Sequence, residues 1–198
     1  MADKKTAIIR ATIAAIAKYG LNKTNAQLVA SEMGIAQSSV FYHFPTQKKL
    51  NESLVPFISK SNAMVVKGLL KEANAQNNFE RLCHYIRGNL IWAMTHRDQV
   101  MVLVYALAEG KHSEQICSEV SSILKSAEDR LYFYLVAGVA EKEFTIDSNL
   151  RSLAKFINQS VNGSVLTQFQ LYDDWSVDSY MDELTVFLKG VIHLIESD

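Results

Sequence analysis

"GIAQSSVFYHF", residues 34–44, interrupts a stretch that otherwise reads as helix. A glycine, a few small or polar residues and then a run of aromatics lie between basic neighbours. The residues just before it complete the pattern. Ala30 is small, Gly34 follows four positions later, Ile35 comes next, and Val40 lies five further on. Two short helices that cross steeply need a small side chain where they touch, and Ala30 supplies it. The chain must then reverse within roughly three residues. Gly34 can take the left-handed conformation that such a reversal needs. Ile35 and Val40 are expected to point inward and lock the pair. This is the spacing of a helix-turn-helix. Gln37, Ser38 and Ser39 then face outward at the start of the second helix, the end that reaches base edges in the major groove of duplex DNA.

Charge around this stretch agrees. Residues 1–50 hold seven Lys/Arg and two Asp/Glu, a net of +5; residues 51–198 hold thirteen and nineteen, a net of -6. A basic head on an acidic body fits a head that meets a polyanion. Eight glycines and two prolines in 198 residues are few turn-formers, so long helices with short connections are expected. Cys83 and Cys117 form no CxxC pattern, which argues against a disulfide framework or a zinc knuckle. The first twenty residues place basic before apolar positions, as signal peptides do. Here the apolar positions follow one helix face, broken by Arg10 and Lys18, and a helix of the mature fold is expected instead. The longest uncharged apolar stretch, "QVMVLVYALA" (99–108), is shorter than the ~20 residues that span a bilayer. It reads as a helix buried inside the protein. A soluble, cytoplasmic protein with no membrane partner is the expectation.

Periodicity predicts about nine helices. The first buries Ile8, Ile9, Ile13, Ile16 and Ala17 and ends at Gly20. Thr24 or Asn25 caps the second, which runs to Met33; the third spans 36–43; Thr46 caps a fourth, running to residue 73 and kinked by Pro56. The fifth lies in 77–97 with Phe79, Leu82, Cys83, Ile86 and Leu90 on one face. Then come the 99–108 helix, a seventh over 113–140 and an eighth over 148–170. The ninth places Tyr180, Leu184, Phe187, Leu188, Val191, Ile192 and Ile195 on one face. No strand alternation or internal repeat stands out. The fold class is all-α: a three-helix helix-turn-helix domain at 1–46, then a helical effector-binding and dimerisation bundle at 47–198.

Residues 14–50, "AAIAKYGLNKTNAQLVASEMGIAQSSVFYHFPTQKKL", resemble the DNA-binding domain of TetR-family transcriptional regulators. The resemblance is carried by Gly20, Thr24–Asn25, Val29–Ala30, Gly34–Ile35–Ala36, Tyr42–His43–Phe44 and Gln47–Lys48–Lys49. It covers about the first quarter of the chain. Departures are visible. Asn25 replaces a usual threonine but can still cap, Phe41 stands where a tyrosine is common, and Gln47 stands where a phosphate-binding lysine is common. Lys48 and Lys49 follow at once and are placed to take over. The resemblance implies DNA contacts from Thr24, Asn25, Gln27, Gln37, Ser38, Ser39, Phe41, Tyr42, His43 and Lys48, with Phe44 in the core. It implies a DNA-binding regulator, a repressor released from its operator by a small-molecule effector. The alternative is a helical small-molecule binder whose helix-turn-helix does not bind DNA.

One recognition helix covers only a few base pairs, so a homodimer is expected. Its interface would be the ninth helix and the eighth, where Ser160, Gly163 and Ser164 permit close approach. In the family these two helices pair with their copies as a four-helix bundle. For the effector, Tyr85, Asn89, Trp92 and His96 follow i, i+4, i+7 and i+11 and share a helix face. Each joins a polar atom to a flat or compact body, the mixture a largely apolar pocket uses to orient a ligand. Tyr105 and Tyr132 or Tyr134 would complete the wall. For any one of these aromatics, filling core or lying at the surface is the commoner role.

Other motifs carry less. "EGKH" (109–112) has the Glu-x-x-His spacing of di-iron bundles, but those need two such motifs and two further carboxylates. His84 beside Cys83 reads as packing. No metal and no cofactor is expected, and the absence of a phosphate-binding glycine loop, HExxH or GxSxG leaves an enzyme without support.

Overall fold

The computed structural model describes residues 3–109, 113–171 and 176–195. It is built from helices, in two compact units: residues 1–61 with 96–123, and residues 62–95 with 124–198.

The first unit begins with α1 (Lys4–Tyr19), capped by Asp3, whose carboxylate accepts the Lys5 N–H. Its buried face holds Ile8, Ile9, Ile13 and Ile16 as the periodicity predicts, together with Thr12 and Ala15. Gly20, at φ 83°, ends it. A single 3-10 turn (Leu21–Lys23) leads to α2 (Ala26–Glu32) and α3 (Gln37–His43). α4 (Gln47–Glu52) and α5 (Leu54–Glu72) occupy the span expected as one helix kinked at Pro56. The interruption falls instead at Ser53. Pro56 has no N–H for the carbonyl of Glu52 and its ring presses on that group, so the ladder fails one turn earlier. Ser53 turns back, donating to the Leu50 carbonyl through both its N–H (3.1 Å) and its hydroxyl (2.6 Å). Counting this interruption as one helix gives the nine expected; counting α4 and α5 apart gives ten among the described residues.

α7 (Arg97–Glu109) packs on α1. The 99–108 stretch expected as a buried helix is helical and buried along one face. Val100, Val102 and Ala106 are buried, while Leu107 faces outward. α8 (Glu114–Ala140) begins in this unit, where Val120 joins Val55 and Ala106 in a small apolar cluster.

The second unit holds the rest of α5 and α8, together with α6 (Asn78–Thr95), α9 (Leu150–Leu171) and α10 (Val177–Val191). Its core joins Phe79, Leu82, Ile86 and Leu90 of α6 to Leu131 and Leu135 of α8, Ala154 and Ile157 of α9, and Leu184 and Leu188 of α10. Two short strands accompany the helices of this all-α fold. β1 (Phe144–Thr145) and β2 (His193–Leu194) pair antiparallel, Phe144 opposite Leu194. The ninth predicted helix therefore stops at Val191, and the Ile195 N–H donates to the Glu143 carbonyl at 2.9 Å instead of continuing a helix. Two residues per strand are too few for alternation to be read from sequence. No helix among the described residues is long and apolar enough to cross a membrane.

Candidate nucleic-acid interface

The helix-turn-helix is built as the spacing requires. Gly34 sits at φ 63°, and the Ile35 N–H closes the turn on the Ala30 carbonyl at 3.0 Å. Val29, Ala30 and Val40 are buried beneath it, while Ile35 is half-buried. α3 has no side-chain cap at Ala36, so its first turn carries only its own residues outward. Gln37 and Ser38 are exposed and Ser39 half-exposed. Tyr42 is 84 % exposed and meets the His43 ring edge-on, with centroids 5.2 Å apart. Phe41 is also exposed. Phe44 is buried and carries the Lys5 ammonium over its ring at 5.4 Å. Exposed polar and aromatic groups thus stand on a base of buried aliphatic ones.

The start of α2 resolves the open choice of cap. Asn25 is the cap, its side-chain oxygen accepting the Leu28 N–H at 2.9 Å. Thr24 turns inward and its hydroxyl donates to the Gly20 carbonyl at 2.9 Å. Its side chain ties the loop to the end of α1. Gln27 is exposed.

A residue that sequence reasoning passed over as a departure has a defined place here. The Gln47 side-chain oxygen accepts the Ala26 N–H at 2.8 Å, and its amide nitrogen donates to Asn51 at 2.9 Å. Gln47 therefore caps α2 from α4 and lies within the head. Its two lysine neighbours remain outside. Lys48 and Lys49 lie 3.8 and 2.9 Å from the carboxylate of Glu52. The amide of Gln115, at the start of α8, is placed to donate to both oxygens of that carboxylate, at 3.0 and 3.3 Å. The i+3 and i+4 spacing of Glu52 from the lysines is visible in the sequence. Its burial and the reach of Gln115, 63 positions on, are not.

The residues expected around an effector are divided between the units. In the second unit, Asn89 donates to the Tyr85 carbonyl at 2.9 Å and accepts from Asn62 at 3.1 Å. The Tyr85 ring lies 6.1 Å from that of Tyr134, and burial pushes its hydroxyl above the usual phenol range. Trp92 is buried. The Arg151 guanidinium covers Tyr132 at 3.8 Å. In the first unit, the His96 carbonyl accepts the Gln99 and Val100 N–H groups at the start of α7. Tyr105 lines a recess of about 70 Å³ with Leu21, Asn51, Leu54 and Val55. That is well below the ~300–1,000 Å³ of a small-molecule pocket. The Glu-x-x-His motif at 109–112 falls largely outside the described residues. Among the described residues, no three His, Cys, Asp or Glu side chains are grouped to hold a metal ion.

Residues 8–54 match the family described as bacterial regulatory proteins, tetR family. No curated protein matches the chain at a significant level. Solved structures match along almost its whole length. A TetR transcription regulator from Haloarcula marismortui is 15 % identical, with TM-score 0.84, over 98 % of this chain and 100 % of its own. A putative transcriptional regulator from Saccharomonospora viridis, solved in complex with choline, is 18 % identical, with TM-score 0.81, over 100 % of both chains. A ketosteroid transcriptional regulator of Mycobacterium tuberculosis is 18 % identical, with TM-score 0.72, over 99 % of this chain and 97 % of its own. At these identities the likeness is one of fold.

Proposed function

We propose that this chain, whose residues 8–54 match the tetR family of bacterial regulatory proteins, is a homodimeric repressor of that family that binds duplex DNA through residues 24–49 and leaves it when a small effector binds. The observation that carries the reading is the start of α3. Gln37 and Ser38 stand exposed on a helix anchored by fully buried Val40, within the matched segment. A recognition helix needs this arrangement, since its N-terminal residues must reach base edges while its far side is fixed. Gln37 reads bases, as a glutamine amide can pair with an adenine edge. Ser38, Ser39, Tyr42, His43 and Lys48 hold the backbone, and Gln27 does so from α2. Thr24 and Asn25 act by shaping the loop and capping α2.

Release by an effector rests on the family and on the choline bound to one similar structure. A bound effector can move the balance only by its differential affinity for DNA-competent and released shapes, typically ~1–3 kcal/mol of coupling. The aromatic and amide groups of α6 favour a mostly apolar ligand with one or two polar atoms.

The test is a gel-shift or anisotropy titration on DNA from the chain's own promoter region, across a salt series. Gln37→Ala should change which sequence is preferred, costing ~1–3 kcal/mol at the contacted base pair. Lys48→Ala should weaken binding to all duplexes alike and flatten the salt dependence. Variants that both bind like the parent would overturn these roles.

A further inference from the structure

We infer that Glu52 is the head's own counter-ion, an intramolecular competitor of DNA phosphate that holds back Lys48 and Lys49 and so limits sequence-independent binding. The inference rests on the DNA-binding reading above. Three observations support it.

The first is the asymmetry of exposure. The Glu52 side chain is 4 % exposed, whereas those of Lys48 and Lys49 are 75 % and 62 % exposed. The carboxylate is fixed inside while both ammonium groups lie where a phosphate can reach them. The second is stoichiometry. One carboxylate faces two lysines, at 3.8 and 2.9 Å, so the pair presents about one net positive charge and not two. The third is how the carboxylate is held. With its amide nitrogen turned toward Glu52, Gln115 is placed to donate to both oxygens from α8, and Glu52 is the last residue of α4, just before the Ser53 interruption. With its amide partner on another helix, the carboxylate cannot follow the lysines outward.

The consequence follows from counterion release. Phosphate contacts by lysine supply most of non-specific affinity, with a slope of about -0.9 in log K per phosphate neutralised. A lysine that must leave Glu52 to reach a phosphate gains less than one that is free, and it strands a buried carboxylate. The cost falls on every duplex equally. The base contacts of α3 are untouched. Glu52 thereby lowers affinity for all duplexes alike and leaves the ratio of specific to non-specific binding to the base contacts of α3.

The experiment uses the full-length chain and two fluorescent duplexes, one chosen by repeated in vitro selection with wild type and one of random sequence, titrated at several salt concentrations. Glu52→Gln keeps the shape and one of the two accepting oxygens and removes the charge. It should bind the random and the selected duplex alike, each roughly three- to tenfold more tightly at low salt and with a steeper salt slope, with the preference between them unchanged. Lys49→Gln should cost more affinity in the Glu52→Gln background than in wild type, since the two substitutions act on one pair. If circular dichroism shows Glu52→Gln unfolded, Glu52→Asp decides, because it withdraws the carboxylate from the lysines and should shift the slope in the same direction. A folded variant with the parent's slope and affinity overturns the role of Glu52 while leaving the DNA-binding reading intact. A wild-type chain that binds neither duplex at low salt overturns that reading, and this role with it.

Discussion

Gly34 is the residue on which the head turns, and its reason is conformational. At φ 63° a side chain of ordinary L-geometry costs ~1–2 kcal/mol, yet a Cβ there would meet nothing within 4 Å. The strain is therefore of the backbone alone. Gly34→Val should lower stability in urea or thermal unfolding by at least that amount. Gly34→Asn should cost clearly less, because asparagine tolerates the left-handed region. Equal losses for the two would mean that space and not conformation is limiting. Cys83 shows a different residue-scale effect. Burial pushes its thiol up to about 11, whereas Cys117 is exposed. Because the folded value lies above the unfolded one near 9, the contribution is whole below pH 9 and is lost as pH rises toward 11. This is worth at most roughly 2–3 kcal/mol. Iodoacetamide at pH 8 should label Cys117 and spare Cys83 until the chain unfolds; prompt labelling of both, read by mass spectrometry, would contradict the burial argument.

Among elements, what could be read in advance was what periodicity and local chemistry encode. The face of α1, the turn at Gly34 and the cap at Thr46, which accepts the Lys49 N–H at 3.1 Å, all follow from residues close in sequence. Contacts between distant segments did not show. Nothing near Gln47 announces Ala26, 21 positions away, and nothing near Glu52 announces Gln115. The strand pair fails for the same reason, since each strand of two residues exists only because the other is there. It also fixes a close fit that sequence conceals. A Cβ at Gly138 would lie 2.1 Å from the ring of Phe144, which is fully buried. Gly138→Ala should therefore destabilise by ~1–3 kcal/mol, the usual cost of overpacking, although alanine favours a helix more than glycine. In the Phe144→Leu background the same substitution should cost markedly less, a coupling that a double-mutant cycle measures. Additive losses would show that the ring is not what Gly138 makes room for.

At the scale of the whole molecule, the question is what covers the outer face of the second unit. Phe156 and Leu166 of α9 and Val186 and Phe187 of α10 are exposed, Val186 at 74 %. The Phe156 and Phe187 rings pair across the two helices with centroids 5.6 Å apart. Gly163 of α9 and Gly190 of α10 each have open space where a Cβ would stand, so another helix can approach there closely. We propose that a second copy does so, with α9 and α10 of each chain forming one bundle. Two recognition helices would then be offered to half-sites ~34–36 Å apart, or a multiple of that. Val191 is the wrong place to test this, because it is half-buried and packs on the core of its own unit. Val186 and Phe187 are the right places. Val186→Glu should give a folded monomer by light scattering, with DNA affinity lost at least tenfold because one head is left to bind alone. Phe187→Glu should do the same and also disturb the pairing with Phe156. A folded Val186→Glu chain that stays dimeric and binds DNA like the parent would move the interface to another face.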